Sequence, residues 1–376
     1  MYVLLIYALL GIFGFLYILM NIKNKEKISM FIFIAIALFF LIRFNVGQDI
    51  KTYLLSYDRV TNPIKDTLTY NANRNFGFTL LIYLCKKLSL SYPWFIFVTN
   101  LIALASITYI TFKYSKNILL SLLMFVGSGY LEVYYASGLR QSIAMAIFLF
   151  IFYEYLPKKQ YGKYYIGAVI ACLFHEVAFV ILLIPLLHKY LDSIRKNWKK
   201  LMIGSLVATV LISFLVSYVA PKIAYAIGFN DAITHLALYF MTQSFSVLGI
   251  GLEVVISGLC MLLFVLNDDK NDWKFFEEVV IFFSLLVYIL MIRYPLVSRV
   301  CDLIQVITLI SIPNVIQSIT SKKKQVLALG IVFLLNGFLL YSDLKQKLKS
   351  TGYTFENYPY ITIVEQQKID NFLYDE

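Results

Sequence analysis

Long apolar runs alternate with short polar ones along most of this chain. Ten runs read as full membrane spans: 2–20, 28–44, 93–112, 117–134, 138–156, 200–220, 247–266, 275–292, 300–318 and 325–341. A helix needs about 20 predominantly apolar residues to cross the hydrocarbon core. The pattern therefore predicts an all-α, polytopic integral membrane protein with about 10 transmembrane helices, built as one domain over residues 1–341. Residues 45–92 read as an external loop, and 342–376 as a carboxy-terminal tail.

The connections differ in kind. Six short ones (NIKNKEK, KYSK, PKKQYGK, HKYLDSIRKNWKK, NDDKNDWK and SKKK) hold 18 of the 33 Lys and Arg residues, and 17 of those 18 are lysine. Short loops rich in basic residues stay in the cytoplasm. Both termini, the 45–92 loop and the tail are then expected outside. Residues 164–187 carry basic loops on both flanks and split into two uncharged runs of eleven around His175 and Glu176. Each half is about 16 Å long, roughly half a bilayer, so a re-entrant hairpin with His175 near its tip is expected. A single span there would need a further crossing, such as 76–90, to keep the lysines on one side.

Composition agrees with a membrane protein, since 60% of residues are hydrophobic and only 15% charged. Soluble domains carry about a quarter charged residues. The net charge of +11 does not point to nucleic acid, because the inner loops account for most of the lysines. The first run, Val3 to Met20, lacks a basic leader and a small-residue cleavage site, and reads as a retained span. Cys85, Cys172, Cys260 and Cys301 lie in or beside apolar segments without paired spacing. They read as small core residues rather than as disulfides or zinc ligands. With no P-loop, Rossmann fingerprint or metal-ligand spacing, no cofactor and no metal is expected.

Arginine is distributed unlike lysine. Arg43, Arg59, Arg74, Arg140, Arg293 and Arg299 fall on or near the external side, with Asp49 among them. The planar guanidinium donates two parallel hydrogen bonds to a phosphate or carboxylate, so the segregation points to an external anionic ligand. Arg140 opens a span beside Gln141 and shortly after Glu132. A helix start adds exposed N–H groups that suit a phosphate, although an arginine snorkelling to the interface would look the same. His175 lies within an apolar segment, where ionisable groups face a cavity or a partner. Its imidazole could take a proton from a hydroxyl, or serve as a hydrogen-bonded structural histidine. Arg43 and Asp49 flank a glycine turn, and Tyr53 and Tyr57 follow at a spacing that puts both on one helix face. Arg293 and Arg299 surround Pro295, as a second anion clamp or as interface anchors. Glu253 has no evident role, and His188 and His235 read as interfacial.

Four segments in order, RFNVGQDIKTYLLSY, NFGFTLLIYLCKKL, SGLRQSIAMAIFLF and LFHEVAFVILLIPLL, followed by RYPLVSRVCDLIQVITLI, resemble the EpsG family of Wzy-like exopolysaccharide and capsule polymerases. The resemblance runs from about residue 40 to 320. Asn73–Phe78 keeps the glycine of a Glu-Pro-Gly-like turn in that family but neither its acid nor its proline. The resemblance implies glycosyl transfer at the outer face of the bacterial cytoplasmic membrane. The donor would be a glycan on undecaprenyl diphosphate and the acceptor a hydroxyl of another lipid-linked repeat unit. A flippase and a chain-length regulator of the same pathway would be its partners. On this view Arg140, His175 and Asp49 are the catalytic candidates. Arg43, Gln141, Arg74, Arg293, Arg299 and Glu132 are the candidates for binding substrate. No metal is demanded, because fixed arginines can stabilise the leaving diphosphate. Three other classes remain open: a lipid-linked oligosaccharide flippase or transporter, a membrane O-acyltransferase, and a non-catalytic structural partner of a polysaccharide assembly complex.

Overall fold

The structure, a computed structural model, describes residues 2–20, 24–44, 47–69, 75–133, 138–215, 271–290, 296–355 and 359–374. Among these residues the chain is helical, with no strand and one isolated bridge between Arg43 and Thr362. It forms two compact units, one of Met1–Phe179, Asn267–Asp269 and Ile307–Glu376, the other of Val180–Leu266 and Lys270–Val306.

The first unit contains α1 (Tyr2–Leu19), α2 (Lys25–Leu41), α3 (Gln48–Arg59), α4 (Pro63–Thr69), α5 (Phe76–Lys87), α6 (Tyr92–Tyr114), α7 (Ile118–Gly127), α8 (Tyr130–Val133), α9 (Leu139–Tyr155) and α10 (Tyr161–Phe174). The second contains α11 (Ile184–Lys189), α12 (Leu191–Lys196), α13 (Trp198–Phe214), α14 (Asp272–Leu290) and α15 (Leu296–Gln305). The chain returns to the first unit with α16 (Thr308–Ser318), α17 (Lys322–Thr351) and α18 (Gln366–Tyr374).

Local chemistry explains several boundaries. α6 has Pro93 in its first turn, where a missing N–H costs nothing. The Asn117 side chain accepts the Leu120 N–H at 3.1 Å and caps α7. α17 stops at Gly352, whose φ of 74° suits a residue without Cβ.

Close packing in the first unit depends on small residues, as it does between helices in lipid. Tyr7 stacks on Phe333 with centroids 5.0 Å apart and donates its hydroxyl to the Phe333 carbonyl at 2.6 Å. A Cβ at Gly127 would lie 2.3 Å from the Tyr7 ring, so glycine alone lets α7 reach α1 this closely.

Among the described residues three helical stretches are long and apolar enough to cross a membrane: Tyr2–Leu19, Tyr92–Tyr114 and Lys322–Lys345. The count of about ten drawn from apolar runs is not reached by that measure, for identifiable reasons. The 117–134 run is α7 and α8, interrupted at Ser128 and Gly129, and the 300–318 run divides between α15 and α16. α2 and α9 are 17 residues each, and 247–266 lies outside the described residues.

The ends of the first unit differ chemically. At one end Lys25 lies over Tyr17, Lys163 over Tyr155, and the Lys116 N–H binds Asn314. There the buried Glu154 accepts from the Tyr109 hydroxyl at 3.0 Å and Lys158 at 3.0 Å, and pairs with Lys113. The short basic loops 113–116 and 157–163 thus share one end. Arg43, Arg140, the start of α6 and the end of α10 gather at the other.

In the second unit, α14 packs against α11, α13 and α15. Arg195 pairs with Asp272 at 2.5 Å, and Trp198 donates to Glu278 at 3.2 Å.

Candidate functional site

Within the stretch read as an external loop, Gln48–Arg59, Pro63–Thr69 and Phe76–Lys87 are helical. On α3, Ile50, Tyr53, Leu54 and Tyr57 are buried while Lys51, Leu55, Asp58 and Arg59 are exposed, so Tyr53 and Tyr57 do share one face. That face enters a hydrophobic cluster with Phe44, Phe78 and Ile82 of the adjoining segments, Tyr92 and Phe95 of α6, and Leu139 of α9. Hydrogen bonds fix its polar edges. Tyr92 donates its hydroxyl to the Ile50 carbonyl at 2.5 Å, and Lys86 donates to the Tyr57 and Asp58 carbonyls, both at 3.0 Å. A cation on the last carbonyls of α3 also complements its helix dipole. Between α3 and α4, the Asp66 carboxylate accepts the Thr61 and Asn62 N–H groups, both at 2.7 Å. Those bonds hold its carboxyl below the ordinary carboxylate range.

Arg140 stands in the first turn of α9, behind Gly138, and is half-buried. Its guanidinium carbon lies 5.7 Å over the Tyr53 ring. Among the described residues its buried Nε has no hydrogen-bond partner, and no carboxylate pairs with it. Gln141 beside it is buried.

His175 ends α10. It takes an extended backbone conformation, and its Nδ1 accepts the Val177 N–H at 3.3 Å, capping the 3₁₀ helix Glu176–Leu183. The side chain is buried and Glu176 is exposed. With Nδ1 accepting, a neutral His175 carries its proton on Nε2 and is a donor there. Taking a proton at Nε2 would mean giving up the cap.

Gly77 joins this histidine to the cluster. A Cβ at that position would lie 3.0 Å from the Leu173 carbonyl oxygen and 3.1 Å from the Phe174 ring, so α5 starts in direct contact with the end of α10. Phe78 follows, 5.2 Å from the Tyr53 ring that carries Arg140. The NFGF and SGLRQS segments and the LFHE segment therefore surround one aromatic cluster.

The remaining candidates distribute as follows. Asp49 is half-buried in the first turn of α3. Arg43 is buried, 2% exposed, with its guanidinium carbon 5.5 Å over the Tyr2 ring. Arg299 is exposed on α15 in the second unit. Arg74, Arg293, Glu253, His235 and Cys260 lie outside the described residues, as does the side chain of Glu132 on α8. Cys85 and Cys301 are buried, and Cys172 is half-buried. No group of metal-binding side chains occurs among the described residues.

An all-α protein with membrane-length helices, in which an arginine lies over an aromatic cluster with no carboxylate partner among the described residues, is the class this geometry defines. Within it, the chain belongs to the EpsG family: that family's model matches residues 27–362. The family is one of Wzy-like polysaccharide polymerases. No curated protein and no solved structure gives a match.

Proposed function

We propose that the protein is a polysaccharide polymerase of the outer face of the bacterial cytoplasmic membrane. It transfers a growing glycan from undecaprenyl diphosphate to a hydroxyl of a lipid-linked repeat unit. The family supports a polymerase in general terms. The observation that carries the finer reading is Arg140, a cation with no carboxylate partner among the described residues, at the N-terminus of a helix.

The difficult part of this reaction is departure of the diphosphate, on which negative charge grows as the glycosidic bond breaks. A fixed guanidinium beside helix N–H groups stabilises that charge without a proton or a metal. Removing one such group costs about 2.7–4 kcal/mol of transition-state stabilisation. From the sequence, Gln141, Glu132, Arg74, Arg293 and Arg299 remain the further candidates for binding substrate. Asp49 is the base that takes the acceptor proton. His175, whose Nδ1 is engaged, offers Nε2–H to the sugar or phosphate. In the membrane the chain makes about ten crossings, with 164–187 re-entrant and the tail outside. A flippase supplies its substrate, and a chain-length regulator acts on its product.

Complementation of a gene deletion with Arg140→Ala, at matched protein level, tests this. Loss of long polymer supports the reading, and normal polymer of normal length contradicts it. An O-acyltransferase would leave polymer length intact in either case.

A further inference from the structure

Residues 359–374 stand near the far end of the chain, yet they are built into the cluster around Tyr53. Arg43 and Thr362 face each other across the antiparallel bridge. The Phe44 N–H donates to the Ile361 carbonyl at 2.7 Å and the Ile363 N–H to the Ile42 carbonyl at 2.9 Å. Tyr360 donates its hydroxyl to the Phe39 carbonyl at 2.7 Å, stacks on the Phe39 ring at 4.6 Å and meets the Tyr2 ring edge-on at 5.5 Å. Glu365 accepts the Thr362 N–H at 2.8 Å and closes the turn into α18. Ile361, Ile363, Ile369 and Leu373 are all buried in the cluster.

Arg43 lies at the centre of this docking. Its guanidinium is over the Tyr2 ring, whose edge meets Tyr360, and only 2% of the residue is exposed. A cation covered in this way does not meet an external ligand while the segment is docked. We propose that Arg43 is a positioning residue that anchors the carboxy-terminal segment 359–374, and that the docked segment holds the end of α2 and the face of α3 that carries Tyr53 under Arg140. The docking stands on its own geometry. Only its consequence for activity rests on the polymerase reading.

The test uses full-length protein in lipid nanodiscs, where trypsin reaches both faces, and follows cleavage after Lys368 by the mass of the released peptide. Arg43→Ala, which removes a desolvated cation–aromatic contact, and Tyr360→Ala, which removes the hydrogen bond to Phe39 and the ring contacts with Phe39 and Tyr2, are each expected to raise the cleavage rate about tenfold by increasing the undocked fraction. Arg140→Ala should leave it unchanged. Ile42→Cys with Ile363→Cys, oxidised to a disulfide, then latches the segment without Arg43. In the Arg43→Ala background the latch should restore both protection and polymer in cells. Cleavage that Arg43→Ala does not change overturns the proposal. So does a latch that restores protection but not polymer, because Arg43 would then act on the ligand itself. If the gene deletion leaves polymer intact, the polymerase reading fails, and cleavage still decides the anchoring role.

Discussion

The guanidinium of Arg140 rests 5.7 Å over the ring of Tyr53, and among the described residues it meets no carboxylate. An arginine paired with an acid has its charge largely neutralised. One held on an aromatic face keeps that charge available, because the ring quadrupole attracts the cation without cancelling it. Tyr53 owes its position to the amphipathic pattern of α3, and Arg140 to the start of α9. Helix geometry in two separate segments thus brings the cation and the ring together, and on the proposed reading they form the anion site.

Substituting Tyr53 should separate these contributions. Tyr53→Phe keeps the ring and is expected to retain most polymer synthesis. Tyr53→Leu keeps bulk but loses the quadrupole, with an expected cost of about 0.5–2 kcal/mol, read as a several-fold or greater drop in polymer yield at matched protein level. Equal yields from Phe and Leu would show that the ring serves packing only.

His175 offers a test of its two nitrogens. His175→Asn keeps an acceptor near Nδ1 and the cap on Val177, while His175→Gln keeps a donor near Nε2. Asn should preserve stability better than Gln, by about 1 kcal/mol, while Gln should preserve more polymer. Thermal unfolding in detergent and polymer gels read the two effects separately. If Asn matches wild type in both, the histidine is a structural cap.

Gly77→Val should damage both the fold and the site. The added side chain meets the Leu173 carbonyl and the Phe174 ring at the end of α10. Overpacking of this kind costs about 1–3 kcal/mol. The expected result is a lower unfolding midpoint together with reduced polymer, and an unchanged midpoint would show that α5 and α10 can separate freely.

The turn that leads into α18 should loosen in acid. Lys368 and the Thr362 N–H hold Glu365 at about 2, against an ordinary value of 4.5. A carboxyl depressed in the folded state contributes stability that is fully present above its ordinary value and is lost as pH falls through the folded one. Hydrogen–deuterium exchange over 359–374, corrected for intrinsic rates, should accelerate between about pH 4.5 and about pH 2. Glu365→Gln should remove most of that dependence, and an unchanged profile in that variant would assign it to other groups.

The class of the fold and part of the candidate site were legible in the sequence. The apolar runs and the scarcity of charge mark the class, and the lysine-rich loops 113–116 and 157–163 do share one end of the first unit. Arg140, His175 and the Tyr53–Tyr57 pair stood out because a polar or periodic residue in an apolar context has few explanations. The break at Ser128 is marked by Gly127-Ser128-Gly129, a turn signal that the apolar run around it outweighed, while nothing marks the break between Gln305 and Thr308. The packing of 45–92 was only partly legible: the Tyr53–Tyr57 spacing marked a helix, but 12-residue helices such as α3 and α5 are too short to register as spans. Glu154 was missed because its lysine partners come from other turns and helices. The tail was missed altogether, although Ile361 and Ile363 alternate as an extended segment does, and Ile369, Phe372 and Leu373 follow helical spacing. Those patterns say that a segment docks, not where, since Arg43 lies at the other end of the chain.

The central claim, polymerisation at the outer face, is tested most directly by deleting the gene in its host. Lipid-linked intermediates and surface polysaccharide are then resolved by size, with the side of the membrane assigned by an impermeant label. The account predicts loss of long polymer and accumulation of single lipid-linked repeat units on the outer face. Repeat units trapped on the inner face, or polymer of normal length, would contradict it.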